Sequence, residues 1–226
     1  MNESDEFTGQ REYMVRDQIE RRGIHDPLVL AAMRSVPRHL FVPPDQRHWA
    51  YSDGALRIEM GQTISQPYIV ALMTELMQLQ GGETVLEIGT GSGYQAAILA
   101  QIAKQVHSIE RHAPLAESAR QTLASVGVAN VEVHVGDGTL GLPTHAPFEA
   151  IMVTAAAPKA SQSLLDQLDE GGRLVIPVGG KYSQTLQVWQ REGTKYKNKA
   201  ITAVAFVPLL GEEGWDEKDW KKFRFW

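Results

Sequence analysis

The sequence predicts an α/β fold, with a doubly wound, mostly parallel sheet, an antiparallel strand near the sheet's end and a helical N-terminal extension. Short apolar runs alternate with helix-like segments between residues 84 and 178. The first of these runs ends in a glycine-rich turn, and the last two apolar runs of the chain have no helix between them. Strands that alternate with helices are typical of βαβ units, which build parallel sheets.

The composition is that of an ordinary globular protein. The 226 residues are 43% hydrophobic and 22% charged, which suits one domain with a sizeable core. No apolar run approaches the roughly 18 residues of a membrane helix, and the acidic start MNESDEF is unlike a secretory signal. The absence of cysteine excludes disulfides and thiolate metal sites. We therefore expect a cytoplasmic protein that does not contact a membrane.

Charge and histidine spacing argue against two kinds of ligand. The net charge is −5 and the basic residues are scattered, whereas proteins that bind nucleic acid usually present a basic stripe. The seven histidines include no pair spaced four residues apart. The sequence therefore predicts neither a nucleic-acid partner nor a metal site. It leaves the oligomeric state open, with a monomer favoured.

The N-terminal extension is expected to span residues 1–80 and to carry an active-site segment, ahead of a core at 81–226. Residues 10–36 have helical character, with Asp26 as the N-cap and Pro27 at the first helical position. A further helix is expected to begin at Ser65-Gln66-Pro67 and to end before Gly81-Gly82. The first nine residues are expected to be disordered.

The core shows a regular alternation of elements. Strands are expected at 84–88, 106–110, 131–135, 148–153 and 173–178, and helices at 94–103, 115–126 and 161–168. Two final strands are expected at 185–190 and 201–209, joined by a linker at 191–200. A linker of that length makes this last pair antiparallel.

The turn after the first strand has the pattern E-x-G-x-G-x-G, from Glu87 to Gly93. Glycines let the backbone approach a ligand closely, and the start of the following helix offers free N–H groups. The dinucleotide fingerprint would need a glycine where Tyr94 stands, and a P-loop would need a lysine after Gly93. A tight turn without any ligand is the structural alternative.

The pattern is similar to the first motif of class I methyltransferases, whose sheet is Rossmann-like. The resemblance implies that this loop holds the methionine end of S-adenosylmethionine, that Glu110 beside Arg111 accepts the ribose hydroxyls, and that Asp137 contacts adenine. The implied cofactor residues of the core are Glu87, Gly89, Thr90, Gly91, Ser92, Gly93, Glu110, Arg111, Gly136, Asp137 and Gly138. Taken alone, Glu110 is better explained as a solvated strand end and Asp137 as a turn residue.

The segment before the core indicates the methyl acceptor. The run GQTISQPY at 61–68, with VPR at 36–38 and FVPL at 206–209, resembles the protein-L-isoaspartate O-methyltransferases. The resemblance implies methyl transfer from S-adenosylmethionine to isoaspartyl carboxylates of damaged proteins and peptides, with S-adenosylhomocysteine as product and a succinimide on the repair route. It implies that the segment Gln62–Ser65 closes over the cofactor, with Gln62, Thr63 and Ile64 as cofactor-binding residues, and that the Ser65 hydroxyl donates to the substrate carboxylate. As the alternative role, Ser65 caps the following helix.

The residues are compatible with this chemistry. A carboxyl group with a pKa of about 4 is already ionised at pH 7, so the reaction needs no general base. Two other functions stay open: a methyltransferase of the same fold acting on a small molecule or nucleic acid, and a protein that binds S-adenosylmethionine without turnover. Some family members have a hydroxyl residue where this chain has Leu210. The aromatic, charged tail at 210–226 is expected to pack on the core as a short helix, with an oligomer contact as the alternative.

Overall fold

The computed structural model describes residues 3–218. Its N-terminal part consists of helices and one small hairpin: α1 (Glu3–Tyr13), a π-helical turn (Met14–Ile19), a 3-10 turn (Glu20–Arg22), α2 (Pro27–Ser35), three further 3-10 turns (Arg38–Phe41, Pro44–Trp49 and Glu59–Gly61), antiparallel β1 (Leu56–Arg57) and β2 (Thr63–Ile64), and α3 (Pro67–Met77). The predicted cap of α2 is confirmed, because the Asp26 carboxylate accepts from the N–H groups of Leu28 and Val29. Helix α3 begins at the predicted proline and ends at Met77, with Gln78 as its C-cap, before the two glycines.

The expectation of disorder in the first nine residues is wrong for residues 3–9, which lie in α1. The Phe7 ring stacks on the His39 ring with centroids 4.1 Å apart and packs against the hydrophobic core. This contact anchors the helix, and the polar composition around it gave no sign of it. Residues 1 and 2 lie outside the described residues.

The rest of the chain forms a seven-stranded sheet with flanking helices. Its elements are β3 (Thr84–Ile88), α4 (Tyr94–Ala100), β4 (Gln105–Glu110), α5 (Ala113–Ser125), β5 (Val131–Val135), β6 (Phe148–Val153), α6 (Gln162–Asp166), β7 (Leu168–Gly179), β8 (Gln184–Glu192) and β9 (Lys195–Val204). The strand order is β5-β4-β3-β6-β7-β8-β9. All pairs are parallel except β7–β8 and β8–β9. The predicted doubly wound, mostly parallel sheet is confirmed. The chain adds β4 and β5 on one side of β3 and then β6 and the later strands on the other side, so the strand order reverses at β3.

The last hairpin is longer than the sequence analysis predicted. Strands β8 and β9 pair from Glu192↔Lys195 to Gln184↔Val204, so only Gly193-Thr194 forms the turn. The prediction of a linker at 191–200 and a strand reaching residue 209 is therefore wrong. Strand β9 lies at the edge of the sheet with mostly exposed side chains, so its residues show no apolar pattern.

Two hydrophobic clusters lie on opposite faces of the sheet. Alternate residues of β3 separate them, with Val85 in one cluster and Leu86 in the other. The first cluster also contains Met14, Met33 and Val70, so the N-terminal helices share a core with the sheet. Within residues 3–218, no helix combines the length and apolar character needed to cross a membrane.

The start of the C-terminal tail returns to the sheet. The indole N–H of Trp215 donates to the Ala156 carbonyl over 3.0 Å, and the Leu209 N–H donates to the same carbonyl over 2.8 Å. The tail after Lys218, where the sequence predicted further aromatic packing, lies outside the described residues. The described part covers the carboxyl end of β6.

Candidate active site

A cleft opens at the carboxyl end of β3, where the strand order reverses. The cavity volume that water can occupy is about 40 Å³, and the cleft is open to solvent. Ligands of open α/β sheets bind at such switch points. Seven residues predicted from the sequence line the cleft: Thr63, Ile64, Ser65, Gly89, Thr90, Gly91 and Ser92. The structure adds five that the sequence analysis missed: Val70, Met73, Tyr94, Gln95 and Thr154.

Gly89 shows why the loop after β3 needs glycine. Its φ is +98°, and a Cβ placed there would lie 2.4 Å from the Thr154 hydroxyl oxygen. That hydroxyl donates to the carbonyls of Ile88 and Gly89, over 3.0 and 2.6 Å. Thr154 therefore fixes the end of β3 from the neighbouring strand, and the loop presents backbone to the cleft.

Glu110 holds the glycine loop from the next strand. One carboxylate oxygen accepts the Gly91 N–H over 3.0 Å, and the other accepts the His112 N–H over 2.9 Å. The side chain is buried and does not line the cleft, although each oxygen keeps a further lone pair. The Glu110 carbonyl accepts the Gly136 N–H over 3.0 Å, which ties the second predicted loop to this strand.

Glu87 lies inside the sheet, fully buried and away from the cleft wall. One of its carboxyl oxygens accepts from the Ser108 hydroxyl, which in turn lies 2.6 Å from the Thr90 hydroxyl. Its Oε1 has no hydrogen-bond partner among the described residues. Burial raises the pKa of Glu87 to about 8, against the lowering effect of the Ser108 hydrogen bond. The Glu87 carboxyl is therefore mostly protonated at pH 7, and it contacts the glycine loop through the Ser108 and Thr90 hydroxyls.

Asp137 connects the loop after β5 to the C-terminal tail. One oxygen accepts from the N–H and hydroxyl of Thr139, and the other accepts the Glu212 N–H over 2.8 Å. These hydrogen bonds outweigh burial and hold the pKa of Asp137 below its usual value. Arg111 is exposed beside it and lines a second hollow with tail residues from Gly211 to Glu217. Asp137 thus acts as a turn residue in this structure, and it lies outside the first cleft.

The remaining predicted residues do not line the cleft. The Gln62 carbonyl accepts the Ile58 N–H over 2.9 Å in the hairpin of β1 and β2. Gly93 faces α5, where a Cβ would lie 3.4 Å from that of Ala119. Gly138 is buried against β3, and a Cβ there would lie 2.4 Å from the Ile88 Cγ2.

Ser65 lies between β2 and α3 in the wall of the cleft, half-buried. The alternative prediction that it caps α3 is wrong, because Gln66 is the N-cap residue and no side chain caps this helix. The backbone of Ser65 is held by Arg38, whose Nη2 donates to the Ser65 carbonyl over 2.7 Å. The Arg38 Nε donates to the Ala50 carbonyl, also over 2.7 Å.

Arg38 is a buried residue behind Ser65 that the sequence analysis did not single out. It is fully buried, its guanidinium lies 4.8 Å from the centre of the Tyr94 ring, and its Nη1 has no hydrogen-bond partner among the described residues. Burial lowers its pKa to about 10, so it stays charged at pH 7. The sequence contained Arg38 only as part of the segment VPR at 36–38, with no indication that it lies under Ser65.

Known proteins resemble this chain along almost its whole length. Residues 9–214 match the model of the protein-L-isoaspartate(D-aspartate) O-methyltransferase family. A protein-L-isoaspartate O-methyltransferase of Methanoregula boonei is 55% identical over 207 residues, which cover 92% of this chain and 95% of that protein. One from Syntrophobacter fumaroxidans is 56% identical over 212 residues, covering 93% and 98%.

Solved structures agree with these sequence relatives. A protein-L-isoaspartate O-methyltransferase structure aligns with a TM-score of 0.81 and 28% identity, over 90% of this chain and 67% of that one. A Plasmodium falciparum structure in complex with S-adenosyl-L-homocysteine aligns with a TM-score of 0.77 over 88% of this chain; at 24% identity it supports the fold alone. The family model and the close relatives together establish that this chain belongs to the protein-L-isoaspartate(D-aspartate) O-methyltransferase family.

Proposed function

We propose that this protein transfers a methyl group from S-adenosylmethionine to the free carboxylate of L-isoaspartyl residues in damaged proteins and peptides. The family membership supports the reaction. The observation that carries the site assignment is that Ser65 and the glycine loop line the same cleft. The backbone amide nitrogen then attacks the methyl ester and displaces methanol to form a succinimide, and hydrolysis of this ring returns part of the residue to normal aspartate, so the reaction repairs damage.

The residues of the cleft fit S-adenosylmethionine. The approach of Gly89 to Thr154 leaves no room for a side chain, so backbone groups of the loop face the cleft. In this proposal the loop residues Gly89 to Gly93 hold the methionine end, Glu87 and Glu110 contribute to the cofactor site by holding that loop, and Arg111 and the Gly136–Gly138 turn complete it. When bound, S-adenosylmethionine supplies an electrophilic methyl group on a positively charged sulfur.

The chain's own contribution is to orient the substrate and exclude water. The Ser65 hydroxyl donates to the substrate carboxylate, and Arg38 fixes the Ser65 backbone from beneath. Because the carboxylate is ionised at neutral pH, no side chain has to remove a proton. Catalysis then depends on alignment of the reacting groups in a dry cleft, which Gln62, Thr63 and Ile64 close.

Partners and location follow from the same proposal. The substrates are flexible peptide segments that carry isoaspartate, and residues 1–80 supply the segment that binds them, next to a cofactor-binding core at 81–226. With a net charge of −5 the protein acts without nucleic acid, and we propose a cytoplasmic monomer.

The test uses methyl-labelled S-adenosylmethionine and paired peptides that differ only in isoaspartate or aspartate, counting base-labile label. Label is expected on the isoaspartyl peptide alone. Ser65→Ala should reduce its rate by about 10- to 100-fold, the effect of losing one hydrogen bond to a charged group. The matched control is Ser125→Ala, an exposed serine at the end of α5, which should keep the wild-type rate.

Two outcomes would contradict the proposal. Absence of label on either peptide, with S-adenosylhomocysteine still bound in calorimetry, would leave the cofactor site and remove the substrate assignment. That result would favour one of the two alternative functions: a methyltransferase that acts on a small molecule or nucleic acid, or a protein that binds S-adenosylmethionine without turnover. Equal rates for Ser65→Ala and Ser125→Ala would leave the reaction in place and remove Ser65 from it.

A further inference from the structure

A cluster of histidines lies on the sheet face opposite Glu87 and Ser108. His107 belongs to β4, while Glu132 and His134 belong to the neighbouring edge strand β5. His107 pairs with Glu132 in the strand register, and His134 lies two residues further along. Because side chains two residues apart point to the same face of a strand, all three meet there.

The donor atoms of these three residues lie close together. The His107 Nδ1 lies 3.1 Å from the His134 Nε2 and 3.5 Å from a Glu132 oxygen. The second Glu132 oxygen lies 3.8 Å from the His134 Nε2. A fourth group approaches from the loop before β6, where the His145 ring lies 4.4 Å from the His107 ring, centre to centre.

One donor atom from each of these three residues lies within 4.8 Å of the other two, so rotation of the exposed Glu132 carboxylate would bring one oxygen into a tetrahedral face with the two imidazole nitrogens. Zinc binds histidine nitrogen and carboxylate oxygen at roughly 2.0–2.2 Å, which places two tetrahedral ligands about 3.3 Å apart. A hydrogen bond between two neutral imidazoles would account for the 3.1 Å distance alone. It would not account for a carboxylate and a third imidazole gathered around the same pair.

We propose that His107, Glu132 and His134 bind one divalent metal ion from the late first-row transition metals. His145 or water takes the fourth position, and Zn²⁺ is the ion used to test the site. Two imidazoles and a carboxylate are ligands that zinc takes readily. The accessible fractions of the side chains rise from 8% for His107 to 20% for His134 and 56% for Glu132, so the site is open to solvent on one side.

The metal ion would act as a structural clamp. It would join the edge strand β5 to β4 at a point two residues before Gly136, whose N–H donates to the Glu110 carbonyl. Because the ion binds the folded chain, it should raise the unfolding temperature. The site is separate from the Ser65 cleft, so this inference does not rest on the proposed reaction.

The experiment titrates Zn²⁺ into the full chain by calorimetry, after treatment with a chelator and without a polyhistidine tag. One ion per chain is expected, with a rise in unfolding temperature. His134→Asn and Glu132→Gln should each weaken binding by at least about tenfold. The control His48→Asn removes an exposed histidine elsewhere and should bind like the wild type.

A second measurement separates coordination from loss of structure. Co²⁺ in place of Zn²⁺ should give the visible absorption of a tetrahedral site in the wild type and in His48→Asn. Glu132→Gln changes a mostly exposed side chain, so it should keep the circular dichroism of the folded protein while the Co²⁺ spectrum changes. The proposal is overturned if the wild type binds no ion, or if His48→Asn weakens binding as much as His134→Asn.

Discussion

Replacement of the buried Glu87 by glutamine should change how stability depends on pH. Glu87 is fully buried, with one oxygen accepting from Ser108 and the other without a hydrogen-bond partner among the described residues. Burial raises its pKa from 4.5 to about 8. In the unfolded chain the carboxyl is ionised at neutral pH, so folding requires that it take up a proton.

The sign and size of the effect follow from that difference. Because burial raises the pKa of Glu87 in the folded state, the carboxyl does not lower the free energy of unfolding below pH 4.5. Between pH 4.5 and about 8 the unfolding free energy falls, because the folded protein must hold a proton that the unfolded chain has released. At about 1.36 kcal/mol for each pH unit, protonation at pH 7 costs about 3 kcal/mol. The glutamine side chain of the variant would be neutral throughout and would avoid this cost, although its unpartnered amide N–H groups cost about 1–3 kcal/mol at every pH.

The assay is urea unfolding of the wild type and Glu87→Gln between pH 5 and 9. The difference in unfolding free energy should move in favour of the variant by about 1.4 kcal/mol per pH unit up to pH 8, and level off above it. The exposed Glu117→Gln serves as the control and should show no such slope. A flat difference for Glu87→Gln would show that the buried carboxyl ionises like an exposed one, and the reasoning would fail.

Two further predictions concern residues around the cleft. Arg38→Met should lower kcat/KM for the isoaspartyl peptide by at least about tenfold, since it releases the Ser65 carbonyl, while calorimetric binding of S-adenosylhomocysteine stays unchanged; an equal loss of cofactor binding would contradict the positioning role. Gly138→Ala should cost about 1–3 kcal/mol in urea unfolding, because its Cβ meets Ile88. In an Ile88→Ala background that cost should largely disappear, and strictly additive effects would refute the contact.

Local sequence patterns were sufficient for most of the fold. The Asp26-Pro27 pair starts α2, and the five apolar runs from residue 84 form the parallel strands, because capping and strand periodicity depend on neighbouring residues. The predictions failed where contacts between residues far apart in the chain determine the local structure. Phe7 orders a polar N-terminus by stacking on His39, and β9 forms through backbone hydrogen bonds to β8 without an apolar pattern.

The sequence by itself determined the family, the glycine loop and the segment with Ser65, since these are contiguous runs whose spacing carries their chemistry. Only the tertiary structure showed that Arg38 lies beneath Ser65. Only the tertiary structure also showed that the His107 and His134 side chains are in contact, because the two residues belong to different strands. The physical reason is that strand pairing and burial bring together residues far apart in the chain. Spacing along the chain describes only the residues that one helix, strand or turn holds together.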